Sequence, residues 1–567
     1  MAPAQVLPAL LNGASARRFF RPSPLSTERF IFLLSLFFAA SSNFRFFAAV
    51  AAGRDLHAVS SWKLIAGSFI LVVAIHCLLL GGMFMRRSAK PLAVVLLLAT
   101  AAAGHFMNSY AVIFDTGMLR NVMQTDLREA GELMSGQLLL ALAAYGVLPA
   151  LVVARVPLAR RGWRHAASAR LLFMLAALGC AAGSVALNYQ DLSALLRNQK
   201  EVRYLITPAN YLVSLGRVLA GDQRKASGPR LPVAADAALG PSWAQRNKPV
   251  LLVLVVGETA RAANWGLNGY ARQTTPELAS AGVINFSRAS SCGTDTETSV
   301  PCMFSPYGRH DYDEQKIWSH ESLLHVLARA GFRVIWRDNQ SGCKGVCSGL
   351  ESQRTGACGR DGCPDEALLD NLEAEVRRTR RPTVLVLHQL GNHGPAYSHR
   401  YPKQFARFLP ACEQADLGKC TRQEIVNSYD NALLYTDHLL AETIRRLAAL
   451  PDRDSALLYM SDHGESLGEH GIYLHGLPYA IAPHEQKEVP MVFWMSPGFA
   501  RSMDLDAACL ARRATLPISH DYLFHSMLGL LQVVTQAYDP AFDFSADCHV
   551  LRSAGNARRA NKTGAAG

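Results

Sequence analysis

Two ionisable residues, Asp462 and His463, stand side by side directly after a short apolar run and directly before a glycine. Two other apolar runs end in a similar way: Glu258 follows VLLVLVVG, and TVLVLHQLGNHG carries His388 and His393. Ligands of open α/β sheets bind in the crevice at the carboxyl ends of the strands, so these side chains are expected to meet there. Carboxylates and imidazoles together suit a divalent metal ion. The sequence therefore predicts a metalloenzyme.

The metal ligands that the strand ends predict are Glu258, Asp462 and His463. A mixed oxygen and nitrogen set of this kind favours zinc, although manganese would also be accepted. Three protein ligands leave a further position for water, a substrate or a nucleophile, as catalytic zinc sites require. We interpret His388, inside its apolar run, as a buried structural histidine. The remaining polar neighbours are interpreted as surface histidines (His399, His470 and His484) and as a solvated helix face (Glu465 and Glu469).

A hydroxyl-rich segment, SSCGTDTETSVPCMFS, is the best source of a nucleophile. Cysteines at both ends, Cys292 and Cys302, would hold one of its threonines rigidly if they are bonded. A metal ion can activate such a hydroxyl, as it lowers the pKa of bound water from about 15.7 to about 7. A helix that begins here would also stabilise an anion with its free amide groups. Thr294 and Thr296 both meet these conditions, and the residue pattern alone does not separate them.

The first third of the chain has the composition of a membrane domain. Half of the 567 residues are hydrophobic, and the mean hydropathy is positive at +0.09. Five apolar stretches approach the length needed to cross a hydrocarbon core of about 30 Å. The predicted spans lie near residues 30–51, 63–85, 91–114, 133–154 and 171–188. A cleaved signal peptide would not explain the four stretches that follow the first.

The basic residues fix the orientation of these spans. They precede the first span (Arg17, Arg18, Arg21, Arg29), join the second to the third (Arg86, Arg87, Lys90), and join the fourth to the fifth (Arg155, Arg160, Arg161, Arg164, Arg170). The positive-inside rule makes these segments cytoplasmic. An odd number of spans then places everything after residue 190 on the other side of the membrane. Because these loops and a basic tail hold much of the net charge of +12, we do not expect a nucleic-acid partner.

Cysteine usage supports export. Ten of the twelve cysteines follow residue 290, and an oxidising compartment favours disulfides over a zinc ribbon. Sequence alone does not settle connectivity. Close spacing nevertheless suggests the pairs Cys292 with Cys302, Cys343 with Cys347, Cys358 with Cys363 and Cys412 with Cys420, leaving Cys509 and Cys548 as a fifth.

From about residue 248, strand-like runs alternate with amphipathic stretches, which is typical of a largely parallel sheet covered by helices. The predicted organisation is a cytoplasmic N-terminus (1–29), a five-helix transmembrane domain (30–188), an amphipathic and linker region (189–247), an α/β catalytic domain (248–550) and a disordered tail (551–567). No internal repeat is evident.

Four motifs in order, VVGETAR, CGTDTETSVPCMFS, LHQLGNHGPAY and SDHGESLGEHGIYLHG, resemble those of the lipid phosphoethanolamine transferases, which include the lipid A and mobile colistin resistance enzymes. The resemblance covers nearly the whole chain. It implies five transmembrane helices followed by a periplasmic α/β domain of the alkaline-phosphatase or sulfatase type, in a protein of the inner membrane. A monomer is expected.

The resemblance also implies roles for individual residues. Thr296 would be the nucleophile, and Glu258, Thr296, Asp462 and His463 would surround a catalytic zinc, with Glu258 assisting proton transfer. His393 and His475 would bind a second zinc or the substrate phosphate, and Lys344 would lie near that phosphate. NVMQTDLRE resembles the family's substrate-binding segment, and its Asn121, Thr125 and Glu129 would share one helical face that grips an ethanolamine head group.

The activity implied by this resemblance is transfer of phosphoethanolamine from phosphatidylethanolamine to a lipid A phosphate of lipopolysaccharide. A capped phosphate carries less negative charge, and resistance to cationic peptides such as polymyxin would follow. The alternatives are a sister transferase with another acceptor, such as a core sugar, a glycerol phosphate transferase of the same superfamily, and a membrane-anchored phosphatase or sulfatase. A non-catalytic membrane sensor is disfavoured because every metal and nucleophile position is intact.

Overall fold

The computed structural model describes residues 23–125, 127–198, 200–225, 230–356, 358 and 363–550. The chain divides into two compact units, one formed by residues 1–105 and 136–210 and the other by residues 106–135 and 211–567.

The α-helices, in chain order, are Thr27–Ser42 (α1), Phe44–Ala51 (α2), Val59–Met83 (α3), Ala89–Tyr110 (α4), Thr116–Gln124 (α5), Leu127–Glu132 (α6), Gly136–Ala141 (α7), Leu148–Arg155 (α8), Trp163–Leu187 (α9), Tyr189–Asn198 (α10), Ala209–Lys225 (α11), Pro276–Ser280 (α12), Thr296–Met303 (α13), Glu314–Ser319 (α14), Leu323–Arg329 (α15), Leu372–Arg377 (α16), Arg422–Ala448 (α17), Pro497–Ser502 (α18), Ala507–Arg513 (α19) and Asp521–Leu530 (α20). The strands are Ala238–Leu239 (β1), Val250–Gly257 (β2), Ile284–Ser290 (β3), Arg333–Asp338 (β4), Glu351–Arg354 (β5), Thr383–His388 (β6), Asp454–Ser461 (β7), Ser466–Leu467 (β8), Tyr473–Leu474 (β9), Glu488–Met495 (β10), Ile518–Ser519 (β11) and Val533–Val534 (β12).

The apolar stretches of the first third form helices long enough to cross a membrane. Within the described residues there are four such helices, namely α3, α4, the continuous segment Gly136–Arg155 and α9, and the pair α1 and α2, bent by 63°, makes a fifth if it is counted as one span. The predicted spans are therefore present, with shifted ends. The helix α9 begins at Trp163 instead of residue 171, and it includes Arg170, whose guanidinium donates to the carbonyls of Gly81 and Phe84 at 2.6 and 2.7 Å. These hydrogen bonds to backbone carbonyls stabilise the charged guanidinium of Arg170 near one end of the span. A hydropathy criterion excludes a charged residue, so the predicted span began after Arg170.

The second unit contains an eight-stranded sheet in the order β11-β3-β10-β7-β2-β6-β4-β5. Its strands β7, β2, β6, β4 and β5 are parallel neighbours, whereas β10 runs antiparallel to β3 and β7. The predicted, largely parallel α/β sheet is confirmed. Its central strands β2, β6 and β7 are buried at every position, as their apolar runs VLLVLVV, VLVL and ALLYM predict for parallel strands that are covered on both faces.

All five predicted disulfides are present, as Cys292–Cys302, Cys343–Cys347, Cys358–Cys363, Cys412–Cys420 and Cys509–Cys548. The two cysteines of the apolar front, Cys77 and Cys180, are not bonded. The prediction of disulfides over a zinc ribbon is therefore confirmed.

Candidate active site

The register of the central strands brings the predicted metal ligands together. Gly257 of β2 pairs with Ser461 of β7, so the next residues, Glu258 and Asp462, leave the sheet at the same level. Glu258, Asp462 and His463 are buried, and their ligand atoms all lie within 4.8 Å of one another. A compact cluster of two carboxylates and one imidazole therefore forms at the carboxyl edge of the sheet.

The imidazole of His463 is oriented for metal binding by its other nitrogen. Nδ1 lies 3.0 Å from the carbonyl oxygen of Gly464 and must donate to it, because a carbonyl only accepts. Nε2 is then an unprotonated acceptor, 3.4 Å from Oδ2 of Asp462 and 3.5 Å from Oε1 of Glu258. Three electron-rich atoms thus face one another.

The charges of this cluster fit a cation. Oδ2 of Asp462 is buried and accepts no hydrogen bond from the described residues. Burial raises the pKa of Asp462 to about 7, and burial together with the charge of Asp462 raises the pKa of Glu258 to about 8. Two buried carboxylates are costly without a positive partner, and a divalent ion would supply it. With two oxygen ligands and one nitrogen ligand, the donor set fits zinc.

The hydroxyl of Thr296 lies at this cluster, whereas that of Thr294 does not. Oγ1 of Thr296 is 3.1 Å from Oε2 of Glu258 and 3.3 Å from Nε2 of His463. Oγ1 of Thr294 instead donates to the carbonyl of Leu477 at 2.6 Å. Thr296 is also the first residue of α13, as expected for a helix that opens in this segment, and Asp295 caps it by accepting the N–H of Thr298 at 2.9 Å.

Two polar neighbours hold the carboxylate of Glu258. Thr259 donates its hydroxyl to Oε1 at 2.5 Å, and Gln340 donates its side-chain amide to Oε2 at 3.1 Å. The sequence reasoning missed Gln340. The signal was present, since Asp338-Asn339-Gln340 ends the strand β4 with polar residues in the same way as the other central strands.

A close approach of two backbone segments fixes Glu258 from behind. Gly391 has a φ of 53°, and a Cβ on it would lie 2.6 Å from the carbonyl oxygen of Glu258. The N–H of Asn392 donates to that same oxygen at 3.0 Å. Asp365 accepts the N–H groups of Leu390 at 2.8 Å and Gly391 at 2.9 Å. Only glycine fits this position without displacing Glu258.

Two partly buried histidines extend the site. The ring of His475 lies 4.4 Å from that of His463 and 5.4 Å from that of His393, measured between centroids. Burial lowers the pKa of His475 to about 4 and lowers the pKa of His393 well below its usual value. Both rings are therefore neutral at physiological pH.

The interpretation of Glu465 as part of a solvated helix face is wrong. Glu465 is fully buried, and its Oε1 lies 3.2 Å from Nδ1 of His475. Glu469, also interpreted as solvated, forms ion pairs with Arg261 and Arg422. The interpretation failed because ESLGEHG does not form an amphipathic helix. The chain instead enters the short strand β8 immediately after Glu465. The sequence did contain a signal for the position of Glu465, because this residue follows His463 by only two positions.

The other predicted histidines behave as interpreted. His388 is buried, and its Nδ1 lies 2.8 Å from Oδ1 of Asp338. His399, His470 and His484 are exposed. Lys344 lies beside α13, with its Nζ 2.7 Å from Oγ of Ser341 and 3.5 Å from Oε2 of Glu297.

The segment 106–135 belongs to the same unit as the sheet, and its helix α5 packs on α13. Asn121 and Thr125 are one helical turn apart, as predicted, and the hydroxyl of Thr125 donates to the carbonyl of Asn121 at 2.7 Å. The helix α5 ends at Gln124, however, so the predicted single helical face does not continue to residue 129. The side chain of Glu129 lies outside the described residues.

Comparisons with known proteins give matches for both parts of the chain. Residues 251–533 match the family described as sulfatase, and residues 72–222 match the family described as phosphoethanolamine transferase EptA/EptB. The chain is 39% identical to phosphoethanolamine transferase EptA of Escherichia coli K12 over 81% of this chain and 85% of that protein. It is 35% identical to phosphatidylethanolamine transferase Mcr-1 of Escherichia coli over 88% of this chain and 94% of that protein.

A solved structure extends the likeness to both units. The integral membrane protein lipooligosaccharide phosphoethanolamine transferase A (EptA) from Neisseria meningitidis superposes with a TM-score of 0.88 at 36% identity, covering 93% of this chain and 100% of that one. The membrane helices and the sheet domain are therefore shared with an integral membrane enzyme.

Proposed function

The chain belongs to the phosphoethanolamine transferase family, and we propose that it moves phosphoethanolamine from phosphatidylethanolamine to a phosphate of lipid A through a covalent intermediate on Thr296. The observation that carries the proposal is the hydroxyl of Thr296, 3.1 Å from Glu258 and 3.3 Å from His463 within a buried cluster of metal ligands. The chain would act in the inner membrane, with its sheet domain in the periplasm and as a monomer.

Zinc would be held by Glu258, Asp462 and His463, with Thr296 as a fourth contact. When bound, it would supply Lewis-acid chemistry that lowers the pKa of the hydroxyl and offsets charge on the phosphate. The protein supplies the rest. The disulfide Cys292–Cys302 and the N-cap at Asp295 keep the threonine in place, and Glu258 accepts its proton through Oε2.

The reaction has two halves. In the first, Oγ1 of Thr296 attacks the phosphorus of phosphatidylethanolamine, and the bond from phosphorus to the glycerol oxygen breaks. The proton that Thr296 releases becomes available to that oxygen, so diacylglycerol leaves as a neutral alcohol. In the second half, an oxygen of a singly protonated lipid A phosphate attacks the same phosphorus and the bond to Oγ1 breaks. The proton that this phosphate loses returns to Thr296.

The surrounding polar side chains would bind the two substrates. Lys344 would neutralise the phosphate of the donor, and His393 and His475 would bind the same phosphate or a second zinc. Support comes from their position, since the His475 ring lies 4.4 Å from that of His463. Asn121, Thr125 and Glu129 would receive the ethanolamine head group, in a segment that packs on the nucleophile helix.

The test is mass spectrometry of lipid A from Gram-negative cells that express the protein. Cells with the unmodified chain should carry a phosphoethanolamine adduct, and cells with Thr296→Ala should not. Thr294→Ala is the matched control, because it removes an equivalent hydroxyl two residues away that is bonded to Leu477. It should retain the adduct.

Two results would contradict the proposal. Unmodified lipid A in cells with well-inserted protein would exclude this acceptor, and core sugars would then be examined for the same group. Adduct formation that depends on Thr294 and survives Thr296→Ala would exclude the proposed nucleophile.

A further inference from the structure

One buried histidine outside the metal cluster joins the two loops on which the reaction depends. His520 lies between β11 and α20 and is 1% exposed. Its backbone N–H donates to the carbonyl of Ser290 at 2.9 Å, which places the residue beside the start of the disulfide loop. The sequence offered no signal for it, because the preceding strand is only two residues long.

The two ring nitrogens of His520 bond to different loops. Nε2 lies 2.9 Å from the carbonyl oxygen of Ser461, the residue before Asp462. Nδ1 lies 3.0 Å from the backbone nitrogen of Cys292, which begins the loop that carries Thr296. A carbonyl only accepts and an N–H only donates, so Nε2 carries the proton and Nδ1 is the acceptor. The neutral imidazole therefore satisfies one backbone group of each loop.

A second bridge runs beside the first. The hydroxyl of Ser299, on the nucleophile helix α13, donates to the carbonyl of Asp462 at 2.5 Å and lies 3.3 Å from Nδ1 of His520. Burial lowers the pKa of His520 to about 3, which agrees with a neutral ring held in one tautomer. The strand end that supplies the metal ligands and the loop that supplies the hydroxyl are thus joined through one side chain.

We propose that His520 is a positioning residue for phosphoethanolamine transfer, because its two hydrogen bonds set the separation between the Thr296 loop and the Asp462–His463 strand end. The proposal concerns the rate of the transfer and therefore rests on the proposed function. An error of about 1 Å in the position of a reacting group can reduce a rate about a hundredfold. No proton transfer to or from His520 is needed.

Three substitutions of His520 distinguish the contributions of its two hydrogen bonds. His520→Ala removes both hydrogen bonds. His520→Asn retains an acceptor near the position of Nδ1, and His520→Gln retains a donor near that of Nε2. The matched control is His525→Gln, in the helix α20 that follows His520, because His525 is also buried but bonds to the N–H of Asp539, away from both loops.

The measurements use the purified full-length protein loaded with zinc, with vesicles of phosphatidylethanolamine as donor and lipid A as acceptor. His520→Ala should lower kcat by about 10-fold to 100-fold with a change in KM of less than about threefold. His520→Asn and His520→Gln should each recover part of the loss. His525→Gln should keep the wild-type kcat, even where its melting temperature falls as far as that of His520→Ala.

A crystal structure of each protein supplies a readout that needs no reaction. In His520→Ala, the distance from Thr296 Oγ1 to Glu258 should exceed the wild-type value of 3.1 Å, and in His525→Gln it should not. An unchanged distance, or a kcat loss equal to that of His525→Gln, would overturn the positioning role. If the wild-type protein transfers nothing but the distance changes as expected, the proposed function fails, and the structural part of the proposal, that His520 sets this distance, stands.

Discussion

Gly391→Ala tests whether the backbone behind Glu258 sets the position of its carboxylate. The new Cβ would lie 2.6 Å from the carbonyl oxygen of Glu258, about 0.8 Å closer than the 3.4 Å at which ordinary contacts begin. Because the new Cβ cannot rotate away and meets backbone atoms of Glu258, Glu258 has to move. We expect the free energy of unfolding to fall by about 1 kcal/mol because alanine is disfavoured at a positive φ, and by a further 1–3 kcal/mol or so because of overpacking. A displacement near 1 Å should reduce transfer about a hundredfold.

The control for this prediction is Gly471→Ala. Gly471 has a φ of 71°, so alanine there has the same backbone cost, but its Cβ would meet no atom within 4 Å. Thermal unfolding and lipid A mass spectrometry on both variants separate the two effects. Gly391→Ala should lose both stability and product, whereas Gly471→Ala should lose only about 1 kcal/mol of stability. Equal product from the two variants would refute the reasoning.

Two further perturbations have defined outcomes. Removal of the metal with a chelator should lower the melting temperature, and zinc added at about 100 times its Kd should restore about 2.7 kcal/mol of unfolding free energy. Asp462→Asn should lose this response to zinc. Calorimetry that shows an equal response in that variant would contradict the assigned ligands. Glu132→Gln should lower the free energy of unfolding by about 1.5–3 kcal/mol, because it leaves the buried Arg400 without its carboxylate partner. In a double-mutant cycle read by thermal unfolding, Arg400→Met should cost less once Glu132 is replaced, and strictly additive losses would contradict this coupling.

The sequence predicted that Glu258, Asp462 and His463 would lie together because they follow strands with a clear apolar core, VLLVLVV in β2 and ALLYM in β7. Such strands are recognisable without knowledge of their neighbours, and the parallel arrangement then requires that Glu258 and Asp462 meet at one edge. The disulfides were predictable for a related reason, since partners close in sequence leave few alternatives.

Other parts of the site depend on contacts that no local pattern encodes. The bonds of His520 join segments that are 59 and 228 residues apart in the chain, and the burial of Glu465 depends on a turn that resembles an amphipathic segment in sequence. The residue pattern alone also left Thr294 and Thr296 open, and their surroundings differ only in the tertiary structure, where the hydroxyl of Thr294 lies next to Leu477 and that of Thr296 next to Glu258. Long-range packing decided each of these outcomes.

Every disulfide in the structure joins two cysteines that are consecutive within the bonded set, and four of the five have sequence separations of ten residues or fewer. Ten cysteines could pair in roughly 900 ways, yet short loops close with the smallest loss of entropy. Joining thiols in the order in which they leave the translocation channel would produce the native set. Maturation therefore requires an oxidase but no reshuffling of mispaired bonds, and the chain should fold normally in cells that lack a disulfide isomerase.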